Sequence, residues 1–184
     1  AISACEKGEQ WERALAFFEE MHEQRLAQSV MVCSAVISAC DKSRQTGRAL
    51  ALFDEMTYEA DVITYNAAIS AAGNGHRSER ALALFREMLS IGLVPSVVTY
   101  SAVISSCEKG HHAREALAFF DEMVLNGVLP NVITFSAAIS ACEKGRLMER
   151  ALFLFAEMQR SGLMPDLMIY NAVISACEKG HQTE

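Results

Sequence analysis

ISSCEKG, at residues 104–110, is the stretch on which the reading of this chain turns. It returns as ISACEKG at 2–8, 139–145 and 174–180, and in altered form at 37–43 and 69–75. From Ile69 onward the steps to Ile104, Ile139 and Ile174 are each 35 residues. Self-similarity at such a period marks an array of repeats, none of which can bury its own apolar face. The unit of the fold is then the repeat, and function lies in what differs between repeats.

Working outward gives four complete repeats, at 30–61, 62–96, 97–131 and 132–166, with partial repeats at 1–29 and 167–184, all in one solenoid domain. The chain opens without Met inside a helical pattern and closes inside another. We read it as a piece of a longer array, so the absence of a targeting signal is uninformative. Tyr100, Val103, Ile104 and Cys107 fall at i, i+3, i+4, i+7, as do Ala81, Leu84, Phe85 and Met88, and Ala116, Phe119, Phe120 and Met123. Each set is the apolar stripe of one helix. Every repeat is thus a hairpin of helix A and helix B, and the whole chain is expected to hold about eleven helices and no sheet. Gly110 and Gly145 are expected to supply the left-handed residue that ends helix A. The GLVP of 92–95 and GLMP of 162–165 stop helix B and preset the next entry.

Hydrophobic content of 51% is ample for a core. The uncharged stretches 89–107 and 124–142 are long enough to span a membrane, but each holds Gly, Pro and several polar residues and straddles a repeat boundary. Both read as a helix end, a turn and a buried helix. Net charge is −7, unusual for a nucleic-acid binder. The first eleven residues of each complete repeat are nevertheless uncharged. Cys5, Cys40, Cys107, Cys142 and Cys177 share one register. Equivalent stacked helices lie about 8–10 Å apart, too far for a disulfide, so these read as small buried thiols in a reducing compartment. Zinc-type spacing is absent.

The 35-residue period, VVTYSAVI at 97–104, the A-L-x-x-F-x-E-M pattern on helix B and G-L-x-P near the repeat end resemble the pentatricopeptide repeat. The related tetratricopeptide repeat has a period of 34 and a Trp, Leu-Gly, Tyr pattern missing here; the single Trp11 reads as local packing. The resemblance implies an all-α, right-handed superhelical solenoid with helix A lining an inner groove. It implies binding of single-stranded RNA, one base per repeat, in a mitochondrion or chloroplast, with no catalytic residue, cofactor, metal or membrane.

Two polar columns carry the implied base reading. One follows the aromatic of helix A: Ser34, Asn66, Ser101, Ser136 and Asn171. The other ends each repeat: Ser29, Asp61, Ser96, Asn131 and Asp166. By resemblance, Ser34 with Asp61 and Ser136 with Asp166 select guanine, Ser101 with Asn131 adenine, and Asn66 with Ser96 cytosine, giving 5′-GCAG-3′. Hydroxyl, amide and carboxylate differ in donors and acceptors, which is the basis for such a code. The bland alternative is helix capping, which suits the last column better than the first. Met31, Ile63, Val98, Ile133 and Met168, second in each repeat, would pack on base faces or, equally, between repeats. Lys42, Lys109, Lys144 and Lys179, with Lys7 in the first partial repeat, would meet phosphates or simply complement a helix C-terminus. The 30–61 repeat is three residues short and has Cys33 where others have an aromatic, which places Asp61 in question.

Other chemistry finds no support. No deaminase signature is present. Gly73-Asn74-Gly75 lacks the strand and the Lys of a phosphate loop. His76, His111 and His181 read as solvated turn residues. Glu20, Glu55, Glu87, Glu122 and Glu157, one per helix B, read as a solvated outer face. The rival class is a protein-binding scaffold, which the acidic charge favours and the uncharged groove opposes.

Overall fold

The computed structural model describes residues 11–24, 30–56 and 60–180. Among them are ten α-helices and no strand: α1 (Trp11–Glu23), α2 (Val30–Lys42), α3 (Thr46–Glu55), α4 (Val62–Asn74), α5 (Ser78–Ser90), α6 (Val97–Lys109), α7 (Ala113–Leu125), α8 (Val132–Lys144), α9 (Met148–Arg160) and α10 (Leu167–Gly180). Even-numbered helices are the A helices, odd-numbered ones the B helices. The packing divides into two compact units, one up to Pro95 and one from Ser96.

In the first unit α2 packs on α1, α3 and α4, and α4 also meets α3 and α5. In the second, α8 is surrounded by α6, α7, α9 and α10. An A helix between so many neighbours must be apolar nearly all round, which is why its sequence carries no charge before its last turn. Ala68, Ala71 and Ala72 of α4, and Ala138 and Ala141 of α8, are buried, and their small size lets the helices approach. Two of the three expected stripes are buried throughout, while in the third Ala116, Phe120 and Met123 are buried and Phe119 is half-buried. Tyr100, Val103, Ile104 and Cys107 are buried together, as are Ala81, Leu84, Phe85 and Met88. Ring pairs join helix B of one repeat to helix A of the next: Phe53 with Tyr65, Phe120 with Phe135 and Phe155 with Tyr170, centroids 5.0, 5.1 and 5.3 Å apart. Ion pairs join successive B helices, Arg80 to Asp54 and Arg150 to Asp121. No helix among the described residues is long and apolar enough to cross a membrane.

The helix ends depart from expectation at one place. Gly92, Gly127 and Gly162, after helix B, are left-handed with φ of 81°, 72° and 74°. Leu93 N donates to Met88 O and Gly92 N to Leu89 O, closing the turn. After helix A, however, Gly110 and Gly145 have φ of −80° and −82°. The left-handed residue is the next one: Arg44, His76, His111 and Arg146. Glycine is needed there for closeness instead. A Cβ on Gly145 would lie 2.8 Å from Ala113 Cβ, and one on Gly75 would lie 2.4 Å from Thr46 Cγ2. The turn of one repeat presses on the start of helix B in the repeat before, so the glycine stays where space is shortest. The following residue takes the left-handed strain, about 1–2 kcal/mol.

A second correction concerns helix B. Glu87 and Glu122 are not merely a solvated face. Tyr65 Oη donates to Glu87 Oε1 at 2.9 Å, and Tyr100 Oη to Glu122 Oε1 at 3.0 Å. Each bond clamps the A helix to the B helix of its own hairpin. Burial, then the Glu87 hydrogen bond and charge, push the Tyr65 phenol up to about 12. His76 and His111 are exposed; His181, Lys7, Cys5 and Ser29 lie outside the described residues. Cys33, Cys40 and Cys142 are free thiols and buried, and Cys107 is buried as well. Burial pushes the Cys142 thiol up to about 12. Trp11 packs under the Arg48 guanidinium, 4.7 Å from the ring centroid.

Candidate nucleic-acid interface

The second and fifth residues of an A helix are i and i+3, so they share one face. The second residue is aliphatic and open to water: Met31 is 76% exposed, Ile63 66%, Val98 57%, Ile133 60% and Met168 73%. Most of the surface of each of these side chains faces water. The fifth residue lies beside them at varied depth. Ser34 and Ser101 are buried, Asn66 and Ser136 half-buried, and Asn171 exposed. Ser34 Oγ reaches Val30 O, and Ser101 Oγ reaches Val97 O, both at 2.7 Å, so each hydroxyl bonds back to its own helix. Asn66 Oδ1 is buried without a hydrogen-bond partner, the state of an amide that still has polar capacity to satisfy.

The residues that end each repeat cap the next A helix. Thr64 N donates to Asp61 Oδ1 at 2.9 Å, Thr99 N to Ser96 Oγ at 3.4 Å, Thr134 N to Asn131 Oδ1 at 3.0 Å and Ile169 N to Asp166 Oδ1 at 2.9 Å. Capping is therefore real for this column: it engages one oxygen of Asp61, Asn131 and Asp166, each of which has a second polar atom, whereas Ser96 caps through its single Oγ. Asp61 caps α4 as Asn131 caps α8, so the short 30–61 repeat keeps its last residue in register.

Sequence patterns did not reveal the bonding of the third residue of the A helix. Thr64 Oγ1 donates to Asp61 Oδ1 at 2.7 Å and also lies 2.7 Å from Ser34 Oγ. Thr134 behaves differently: its hydroxyl donates to the backbone Asn131 O and accepts from Asn131 N, both at 2.8 Å. The recurring Thr64, Thr99 and Thr134 were the available signal.

The lysine column is engaged. Lys144 Nζ lies 2.6 Å from Glu108 Oε1, and Lys179 pairs with Glu143. Ser175 Oγ also donates to Glu143, at 2.9 Å. Burial pushes the Glu143 carboxyl up, but the Lys179 and Ser175 hydrogen bonds outweigh it and hold it below the usual carboxylate range. Asn74, standing where other repeats have Lys, donates to Asp41 Oδ1 at 2.8 Å. Within each unit these turns form a ladder, the acid of one repeat holding the Lys or Asn of the next: Asp41 with Asn74, Glu108 with Lys144 and Glu143 with Lys179. Lys42 is exposed and Lys109 half-buried at the ends of α2 and α6.

Comparison with known proteins matches this architecture. The profile described as the PPR repeat family fits residues 60–109 and 95–144, and the PPR repeat profile fits 1–26, 31–59 and 133–163. No curated protein sequence matches. Among solved structures, the pentatricopeptide repeat protein PPR10 from maize is 30% identical with a TM-score of 0.75, over 98% of this chain and 26% of that one. PPR10 in complex with an 18-nt psaJ RNA element is 27% identical with a TM-score of 0.79, over 98% of this chain and 27% of that one. The PPR domain of Arabidopsis thaliana protein-only RNase P 1 in complex with tRNA has a TM-score of 0.81 over 96% of this chain and 95% of that one; at 14% identity it speaks for the fold alone. The chain spans about a quarter of the PPR10 chains it matches. A hairpin repeated every 35 residues, fitted by the family's own profiles through most of its length, places this chain in the pentatricopeptide repeat family.

Proposed function

We propose that this chain binds single-stranded RNA, one base per repeat, as a binding module and not as an enzyme. One observation carries the reading: a column of exposed aliphatic side chains recurs beside a column of polar ones on helices uncharged before their last turn. Aliphatic surface left in water at the same place in five A helices suits flat apolar partners, and bases have such faces. The RNA named in the PPR10 complex supports the choice of partner. Ser34 with Asp61 selects guanine, Asn66 with Ser96 cytosine, Ser101 with Asn131 adenine and Ser136 with Asp166 guanine, so the core site is 5′-GCAG-3′. Asn171 begins a fifth pair. Lys42, Lys109, Lys144 and Lys179 are the phosphate candidates, and in meeting a phosphate Lys144 and Lys179 would leave Glu108 and Glu143. Organellar transcripts are the proposed targets, by family analogy.

Ile133→Ser tests this. Half-burying Ile133 on a base contributes about 1 kcal/mol, so affinity for a single strand carrying 5′-GCAG-3′ falls roughly fivefold with the thermal midpoint unchanged. Equal binding by wild type and variant, or tighter binding to duplex DNA, contradicts it. A protein scaffold would show neither strand nor base dependence.

A further inference from the structure

Thr64 wires together two residues that belong to one base. Its Oγ1 lies 2.7 Å from Asp61 Oδ1 and 2.7 Å from Ser34 Oγ, and Thr64 itself is fully buried. A carboxylate only accepts, so the Thr64 proton goes to Asp61 Oδ1. The Ser34 proton then goes to Thr64 Oγ1 or to Val30 O, both inward. Toward a base, Ser34 can offer only a lone pair. Asp61 Oδ1 already takes the Thr64 amide and hydroxyl, so Oδ2 is the oxygen left for a base.

We propose that Thr64 is a positioning residue that turns Ser34 and Asp61 into an acceptor-only pair, and that the third residue of the following A helix thereby sets how strictly a repeat selects guanine. The inference rests on the base-reading assignment of Ser34 and Asp61. Guanine alone presents two adjacent donors, its ring N–H and its amino group. Adenine and cytosine present a ring acceptor beside their amino donor, and uracil presents one N–H between two carbonyls. An acceptor-only pair with fixed protons repels every edge but the first.

The chain contains its own comparison. Ser136 and Asp166 are the same residue types, but Ile169 stands in the place of Thr64. Asp166 accepts there from Ile169 N, and Ile169 has no hydroxyl to join it to Ser136. Ile169 is 1% exposed, so a buried aliphatic fits this place in the fold. The Ser34 repeat should therefore discriminate guanine from adenine more strictly than the Ser136 repeat.

The test is competition binding of the 184-residue chain to single strands with guanine or adenine at the first or fourth base of the core. Thr64→Val keeps shape and the amide cap but removes the hydroxyl. It is expected to lower the guanine preference at the first base about tenfold, to the level of the fourth, leaving the other bases unchanged. Thr64→Ser restores the preference, and Ile169→Thr raises it at the fourth base. Thr134→Val, whose hydroxyl touches only backbone, leaves the third base unaffected. A guanine preference retained in Thr64→Val, or a loss spread equally over all cores, overturns the relay while leaving base reading intact. No base preference anywhere in the wild-type chain overturns both. Should Thr64→Val melt too low to assay, Ile169→Thr decides alone: no gain at the fourth base refutes the proposal.

Discussion

Replacing Glu108 and Glu143 by Gln should strengthen RNA binding and steepen its dependence on salt. In the wild type Lys144 faces Glu108 at 2.6 Å and Lys179 pairs with Glu143, so each turn presents nearly zero net charge to a phosphate. Lys144 also donates to Glu108 O at 3.1 Å, a contact that Gln leaves in place. Each substitution therefore frees about one positive charge without removing the lysine from the turn. On a single strand, every phosphate neutralised contributes about −0.7 to the slope of log affinity against log salt. The double variant should gain about −1.4 in slope. Its affinity advantage should be largest at low salt, where screening is weak. The cost in stability is small, because these pairs are partly exposed and each is worth about 0–1 kcal/mol. Binding measured across a salt series, with thermal melts alongside, reads both quantities. An unchanged slope would show that these lysines do not meet phosphate, and the ladder would then serve only to hold repeats in register.

Three further outcomes follow from the packing. Gly145→Ala should destabilise by about 1–3 kcal/mol, since its Cβ would meet Ala113 Cβ at 2.8 Å; a second change, Ala113→Gly, should restore part of the thermal midpoint. Cys142 should resist alkylation in the native state and react once unfolded, because burial keeps its thiol protonated up to about 12. Tyr65 has a folded pKa raised to about 12 from 10.0, so its contribution is complete below pH 10.0 and disappears as pH rises toward 12; Tyr65→Phe should flatten that alkaline loss in a melt series.

The period, the hairpins and the apolar stripes were legible because they are local: 3.6-residue spacing and a Gly or Pro at the end show themselves within a dozen residues. Val30, Val62, Val97, Val132 and Leu167 each open an A helix. Interactions between repeats were not legible in the same way. Lys144 reads as a cation at a helix end, and only stacking brings it to Glu108, 36 residues back. Gly145 illustrates a different limit. A glycine after a helix serves equally a positive φ or a close approach, and only Ala113 opposite decides between them. For the polar columns, capping does not use up the side chain at every position: Asp61 and Asn131 cap through one oxygen and have a second polar atom besides. Thr64 went unremarked because its hydroxyl acts through two other residues.

Asn131→Asp tests base reading most directly. A carboxylate caps this kind of helix already at Asp61 and Asp166, so the fold should tolerate the change. The swap replaces an amide, donor and acceptor, by a pure acceptor, and a matched polar contact is worth about 1–3 kcal/mol of discrimination. Competition between single strands with 5′-GCAG-3′ and 5′-GCGG-3′ cores should shift by about tenfold or more toward the second. If neither core competes better before or after the substitution, these columns do not read bases.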